Sequence, residues 1–328
     1  MRNLLQLLLP LCLIFSTQVK SQCPTAGFTL PDTVCVGSLI QITNTSTGSG
    51  PLNSNWDFNS KDYLDSLNGH IIGTFPSDMA GALGVDLAEQ NDTLIALTIT
   101  NSGTLCRYTF GNNINNVPIK ETLGNLGLIS AGFDLEIVQS NGNWHAFVPS
   151  FFSGELYHLN FGNILFNTPT VSSMFHFTFS LPVGISFAEE NGNYVGYVSN
   201  FSGNSISILN YGNDLNSTPV ITSVALPGTN PFSVQLIKTC TNWYGYVGYI
   251  SSNDVTVIDF GATLGNTVAN PNLQSFTLPN GVRNGSLIQE GDDNILLYVN
   301  SNGSGLTSVN LGNNPLTINP VITPINTN

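Results

Sequence analysis

The sequence predicts an all-β fold, a β-propeller of about six four-stranded blades, on three observations. The step Phe161-Gly162-Asn163 returns as Phe110-Gly111-Asn112, Tyr211-Gly212-Asn213, Phe260-Gly261-Ala262 and Leu311-Gly312-Asn313, so its glycines recur every 49 to 51 residues. A weaker copy, Phe58-Asn59, stands 52 residues before Gly111 and extends the series to six. Between copies the chain reads as short strands bounded by turn residues, with no sustained helical period. A strand-rich period of about 50 is the signature of a propeller array.

Within one unit, Ser186 to Pro227, four strands follow in order. Ser186-Phe187-Ala188 opens the first. Asn191-Gly192-Asn193 makes a tight hairpin turn, because Asn-Gly tolerates the positive φ such turns need, and Asn141-Gly142 repeats it. Tyr194 to Ser199 forms the second strand, Ser205 to Tyr211 the third and Pro219 to Leu226 the fourth. Pro118, Pro169 and Pro219 stand where a fourth strand starts, a place that tolerates a missing amide donor. A four-stranded unit that is apolar on both faces cannot bury them alone, so neighbouring units stack around an axis into a ring. Gly27 to Leu30 is the strand expected to close that ring by completing the last blade.

The first 21 residues read as a secretory signal: Arg2 in a short basic start, an apolar run from Leu4 to Phe15, and a cleavage site at Val19-Lys20-Ser21. Residues 22–58 follow, and residues 59–328 carry the repeats. Ala26-Gly27-Phe28, Val34-Cys35-Val36-Gly37, Thr43-Asn44-Thr45-Ser46 and Trp56-Asp57-Phe58 together resemble the opening half of polycystic-kidney-disease-type immunoglobulin-like domains of exported Bacteroidetes proteins. The Gly-Asp-Gly of that pattern is replaced by Asn59-Ser60-Lys61. A second reading puts the same segment in phase with the array as part of a first blade. The alternative to six blades is therefore five plus a partial immunoglobulin-like segment.

Composition narrows the partners. Only 8% of residues are charged, and the net charge of −13 becomes −15 once Arg2 and Lys20 leave with the signal. The five remaining basic residues, Lys61, Arg107, Lys120, Lys238 and Arg283, are scattered singly, which gives no electrostatic footprint for nucleic acid. No apolar run after the signal reaches the ~18 residues that span a bilayer, so membrane insertion is not expected. A secreted or cell-surface location follows from the signal. In that oxidising setting Cys23, Cys35, Cys106 and Cys240 allow three pairings, of which Cys23 with Cys35 is the expected one.

Candidate sites lie where the copies differ. The aromatic stripe of the second strands (Trp144, Phe147, Tyr194, Tyr197, Trp243, Tyr246, Tyr298) recurs at one position per blade, as packing between blades demands. Phe151, Phe152 and Phe201 instead fall in loops between second and third strands and are the candidate binding residues. Asp86, Asp134, Ser186, Ser233 and Ser286 are expected as one ring at the channel mouth, where Asp86 and Asp134 are candidate ligands for a hard cation such as calcium. No other cofactor is indicated. His145 and His158 lie on adjacent strands of one blade and read as packed sheet, and no His-Glu-x-x-His pair or Gly-x-Ser-x-Gly elbow occurs.

The whole mature chain looks like the propeller-bearing, immunoglobulin-like-fused exported proteins of Bacteroidetes, which implies adhesion or carbohydrate contact at the cell surface. The function expected is thus a non-catalytic extracellular binding module for an unidentified glycan or protein. Two alternatives stand beside it: a cation-dependent propeller hydrolase or lactonase-like enzyme, and a structural spacer in a surface assembly.

Overall fold

In a computed structural model of the chain, the structure describes residues 27–29, 43–47, 81–127, 129–239, 241–264, 272–290, 293–301, 305–312, 314–317 and 319–325. The signal segment, the Cys23–Cys35 pair, Cys240 and the Phe58-Asn59 copy lie outside those residues. Two compact units divide the chain, Met1–Asn59 and Ser60–Asn328. In the first, β1 (Phe28–Thr29) pairs antiparallel with β2 (Thr43–Asn44).

The described residues of the second unit form an all-β propeller of five four-stranded blades. Blade 1 comprises β3 (Ala82–Gln90), β4 (Thr93–Thr100), β5 (Leu105–Gly111) and β6 (Ile119–Gly124); blade 2 comprises β7 (Glu136–Ser140), β8 (Asn143–Ser150), β9 (Glu155–Gly162) and β10 (Thr170–Phe175). Blade 3 comprises β11 (Pro182–Glu190), β12 (Asn193–Asn200), β13 (Ser205–Gly212) and β14 (Val220–Ala225). Blade 4 comprises β15 (Pro231–Lys238), β16 (Trp243–Tyr249), β17 (Asp254–Gly261) and β18 (Asn272–Thr277); blade 5 comprises β19 (Val282–Glu290), β20 (Asp293–Asn300), β21 (Leu306–Asn310) and β22 (Val321–Ile325). Every blade is an antiparallel meander whose spatial order is its chain order.

That order corrects two expectations. Among the described residues the count is five blades, the alternative, and not about six. The strand expected to close the ring does not do so: β22 supplies the outer strand of blade 5, while Phe28 and Thr29 pair with Asn44 and Thr43. Each described blade draws all four strands from consecutive chain, so none needs a strand from elsewhere.

The repeated glycine ends the third strand of blades 1 to 4 and lies two residues past that of blade 5. Gly111, Gly162, Gly212, Gly261 and Gly312 all have φ between 61° and 80°, a region that costs other residues strain. The residue two before it caps the turn, since the amides of Gly162, Gly212, Gly261 and Gly312 donate to the side chains of Asn160, Asn210, Asp259 and Asn310 at 2.6–3.0 Å. The expected Asn-Gly hairpins also form, with φ of 50° and 76° at Asn141-Gly142 and 54° and 79° at Asn191-Gly192.

The core lies between blades. Ile95, Leu97 and Ile99 of blade 1 pack on Ala146, Val148 and Leu159 of blade 2. Phe147 and Leu156 pack on Ile185, Val198 and Leu209 of blade 3. Tyr197 and Ile208 pack on Val234, Trp243 and Val247 of blade 4, and Tyr246 and Val257 on Leu296 and Tyr298 of blade 5. Six residues of the aromatic stripe, Trp144, Phe147, Tyr197, Trp243, Tyr246 and Tyr298, are buried here and Tyr194 is half-buried; glycine makes room beside them, since a Cβ on Gly196 would meet the Phe187 ring at 2.8 Å, and one on Gly245 the Phe260 ring at 2.8 Å. Cys106 is a buried free thiol against Thr122.

Candidate functional site

One end of the propeller gathers the loops that follow the second strands and the crossovers that enter the next blade. A repeated hydrogen bond ties the two: the amides of Phe151, Phe201, Ile250 and Ser301 donate to the carbonyls of Ala131, Leu181, Asn230 and Gly281 at 2.7–3.3 Å. The backbone is thus the same in each blade, while only blades 2 and 3 carry phenylalanine at that place.

The three candidate phenylalanines come together. Phe151 meets Phe152 edge-on at 5.2 Å between ring centroids and Phe201 at 5.5 Å. Two rings missed by sequence reasoning complete the group. Phe133, in the crossover before β7, lies 4.9 Å from Phe151, and Phe232, in β15, meets Phe133 edge-on at 6.1 Å. Five rings from blades 2, 3 and 4 form one platform: Phe232 is buried, Phe133, Phe151 and Phe201 are half-buried, and Phe152 is 75% exposed. The signal that marks the missed pair is position, because each immediately precedes a polar residue of the channel, Asp134 and Ser233.

First-strand residues of all five blades, with Leu297, Val299 and Leu306 of blade 5, line a channel cavity of about 400 Å³. Strand register separates the expected single ring into two rungs. Asp86 stands level with Glu136, Ser186, Gln235 and Ser286, each opposite the equivalent residue of its second strand (Leu97, Phe147, Tyr197, Tyr246, Leu297). Asp134 falls two residues earlier, level with Gly84, Gly184, Ser233 and Asn284. Asp86 and Asp134 are therefore on different rungs, and Glu136 joins them as a third acid.

Each acid is held by main-chain amides. Asp86 accepts from Leu87 at 2.8 Å and from Ile137 of blade 2 at 2.6 Å; Asp134 accepts from Leu135 at 2.9 Å and from Ile185 of blade 3 at 3.1 Å. Glu136 accepts from Phe187 at 3.4 Å. Burial pushes all three carboxyls up, against those amides. Asp134 reaches about 7, raised further by the Asp86 charge and lowered by the Asn284 side chain. Glu136 rises through burial and then through the charges of Asp86 and Asp134. Among the described residues no group of three or more His, Cys, Asp or Glu side chains is disposed to hold a metal ion.

The two histidines of blade 2 form a pair, His145 buried and His158 half-buried. His145 Nδ1 lies 2.8 Å from His158 Nε2, and His158 stacks on Phe147 at 4.6 Å. Burial lowers both, His158 to about 4 with the neighbouring His145 charge as a second cause, so both are neutral at pH 7.

No protein-family model and no curated protein sequence matches the chain. Solved structures do share its fold. A GH43 β-1,3-galactosidase solved with galactodeoxynojirimycin is 8% identical, with a TM-score of 0.51 over 74% of this chain and 93% of that one. The six-bladed, fucose-recognising lectin of the fungus Aleuria aurantia is 13% identical, with a TM-score of 0.51 over 75% and 78%. A Bacteroides uniformis protein assigned as a 6-phosphogluconolactonase is 11% identical, with a TM-score of 0.51 over 73% and 69%. At these identities the likeness establishes the propeller fold.

Proposed function

We propose that the protein is a non-catalytic extracellular binding propeller that stacks the apolar face of a glycan ring on its phenylalanine platform. The observation that carries this reading is Phe152, three-quarters exposed and backed by four further rings drawn from three blades. An exposed aromatic cluster of that kind marks a binding surface, and an aromatic face suits the C–H face of a sugar. The fold supports such a role, since one propeller of like fold is a fucose-recognising lectin. Export fits the basic-apolar start of the sequence.

Phe152→Ser is the variant that tests it. Wild-type protein on a glycan array is expected to bind and the variant to lose that binding. Its stability is expected to stay within about 0.5 kcal/mol, as for other surface substitutions. A blank array for the wild type, or binding untouched in the variant, overturns the reading and favours a spacer role or a protein partner.

A second reading, a hydrolase or lactonase-like enzyme using calcium at the channel mouth, draws on Asp86, Asp134 and Glu136 sharing one cavity with raised carboxyls, a pattern common at functional sites. The amides already bound to those acids weigh against it. Calcium titration of the wild type and of Asp86→Asn, with turnover on a panel of lactones and glycosides, separates the two readings.

A further inference from the structure

The junction of blades 1 and 2 is filled by one buried cation. Arg107, on β5, sends Nη1 to the carbonyls of Leu165 at 2.8 Å and Asn167 at 3.0 Å, in the loop between β9 and β10. Its Nη2 pairs with the Glu121 carboxylate, and the guanidinium lies 5.6 Å from the centre of the Phe166 ring.

The junction of blades 2 and 3 repeats this frame without the arginine. His158 occupies the register of Arg107: Arg107 stands between Leu97 and Glu121, and His158 between Phe147 and Ser172. The receiving loop is also repeated. Ser217 N donates to Asp214 O at 3.0 Å as Asn167 N donates to Ile164 O, and the Ser217 and Asn167 side chains donate to Tyr211 O and Phe161 O at 2.9 and 2.8 Å. Leu215 and Ser217 thus present the carbonyls that Leu165 and Asn167 give to Arg107, and neither accepts a hydrogen bond from a described residue. His158 does not reach them, because its ring is drawn back onto His145 and Phe147. The result is a cleft of about 380 Å³, lined by His158, Ser172, Leu215 and Ser217 among others.

Charge favours a cation in that cleft. The histidine pair brings none, and Asp214, exposed at the place of Ile164, brings a carboxylate whose field reaches both imidazoles. The chain as a whole carries −13. We propose that the cleft between blades 2 and 3 takes the guanidinium of an external ligand, an arginine side chain of a polypeptide or free arginine, in the position that Arg107 fills one blade earlier. A planar fork of five donors matches the two carbonyls, while the Asp214 carboxylate, whose Oδ1 already accepts Asn216 N and Nδ2 at 2.9 and 3.1 Å, adds negative charge; an ammonium has no fork to span both carbonyls. This site is separate from the phenylalanine platform and does not depend on it.

Calorimetric titration of the full chain with N-acetyl-L-arginine amide, its neutral citrulline counterpart, N-acetyl-L-lysine amide and free L-arginine tests the assignment. The arginine amide is expected to bind, with citrulline weaker by about tenfold or more for want of charge-assisted hydrogen bonds. Free arginine binding as well as the capped form identifies a small-molecule ligand; capped arginine binding better identifies a polypeptide. His158→Arg is expected to fill the cleft, raise the melting temperature and abolish binding. Asp214→Asn, at an exposed position that leaves folding intact, is expected to weaken binding severalfold, and Phe152→Ser to leave it unchanged. No heat with either arginine ligand, equal affinity for citrulline, or binding unaltered in both cleft variants overturns the proposal.

Discussion

Asp134 Oδ2 accepts the backbone amide of Ile185, fifty-one residues further along the chain, at 3.1 Å. The same offset joins Asp86 to Ile137 and Glu136 to Phe187. First strands of neighbouring blades belong to different sheets and share no ladder, so these carboxylates supply the hydrogen bonds that a sheet would otherwise provide. Between blades 3 and 4 the joint is neutral: Ser199 Oγ donates to Phe232 O at 3.0 Å beside Gly184.

Asp134 makes stability pH-dependent in a direction opposite to most carboxylates. Its folded-state value of about 7 lies above the ordinary 3.8, so the native protein holds a proton that the unfolded chain releases. That contribution is complete below the ordinary value and is lost as pH rises through about 7. In urea denaturation, the stability of wild type relative to Asp134→Asn is expected to fall by a few kcal/mol between pH 4 and pH 8. A difference that stays flat over this range contradicts the buried, amide-held acid. Asp86 and Glu136 shift the same way, and the three titrate as a group.

Glu190 behaves in the opposite sense at the far end of the blades. Burial alone would raise it, but the Leu264 amide at 2.8 Å, the Lys238 ammonium at 2.6 Å and the Trp243 indole at 3.1 Å hold it at about 2. The stability it supplies is present above the ordinary value of 4.5 and lost as pH falls through about 2. Glu190→Gln is expected to cost about 1.5–3 kcal/mol at pH 7, the range for hydrogen bonds to a charged group. Denaturation at pH 2 should show the cost largely gone, and an equal cost at both pH values would remove the ionic part of the account.

Phe147 and Phe152 lie five residues apart and answer to different physics. Phe147 is fully buried among His158, Phe187 and Tyr211, so Phe147→Ala is expected to destabilise by about 3–5 kcal/mol. Phe152→Ala, on the platform, is expected to change stability by less than about 0.5 kcal/mol. Equal melting temperatures for the two variants would refute the burial assigned to them.

The elements legible in the sequence are those fixed by local constraint. The glycine step could be read because a left-handed residue is needed at the end of every third strand, and the Asn-Gly turns for the same reason. Phe151 and Phe201 were legible because two copies carry an aromatic ring in a loop where the others carry Asn101, Ile250 and Ser301. Register between blades was not. Sequence counting set Asp86 beside Asp134, but β3 begins at Ala82 and β7 only at Glu136, and this offset places Asp86 level with Glu136. Phe133 and Phe232 escaped notice because their meeting depends on the approach of blade 4 across the first strand of blade 3, a long-range fact with no local signature.

Gly212 and Gly184 are needed for different reasons. Gly212 has a φ of 64° with nothing within 4 Å of an added Cβ, so Gly212→Ala pays only for backbone conformation, about 1–2 kcal/mol, and Gly212→Asn less. Gly184 has ordinary φ, but a Cβ there would run into the carbonyl oxygen of Phe232 and force β15 away from β11. Gly184→Ala is therefore expected to cost about 3 kcal/mol, the upper range for overpacking. Because the displaced strand carries Phe232, the same variant is expected to loosen the ring contact with Phe133 and weaken glycan binding, which Gly212→Ala leaves intact. Urea denaturation and array binding of both variants check this together. If Gly184→Ala proves no costlier than Gly212→Ala, the two first strands do not approach as closely as the platform requires.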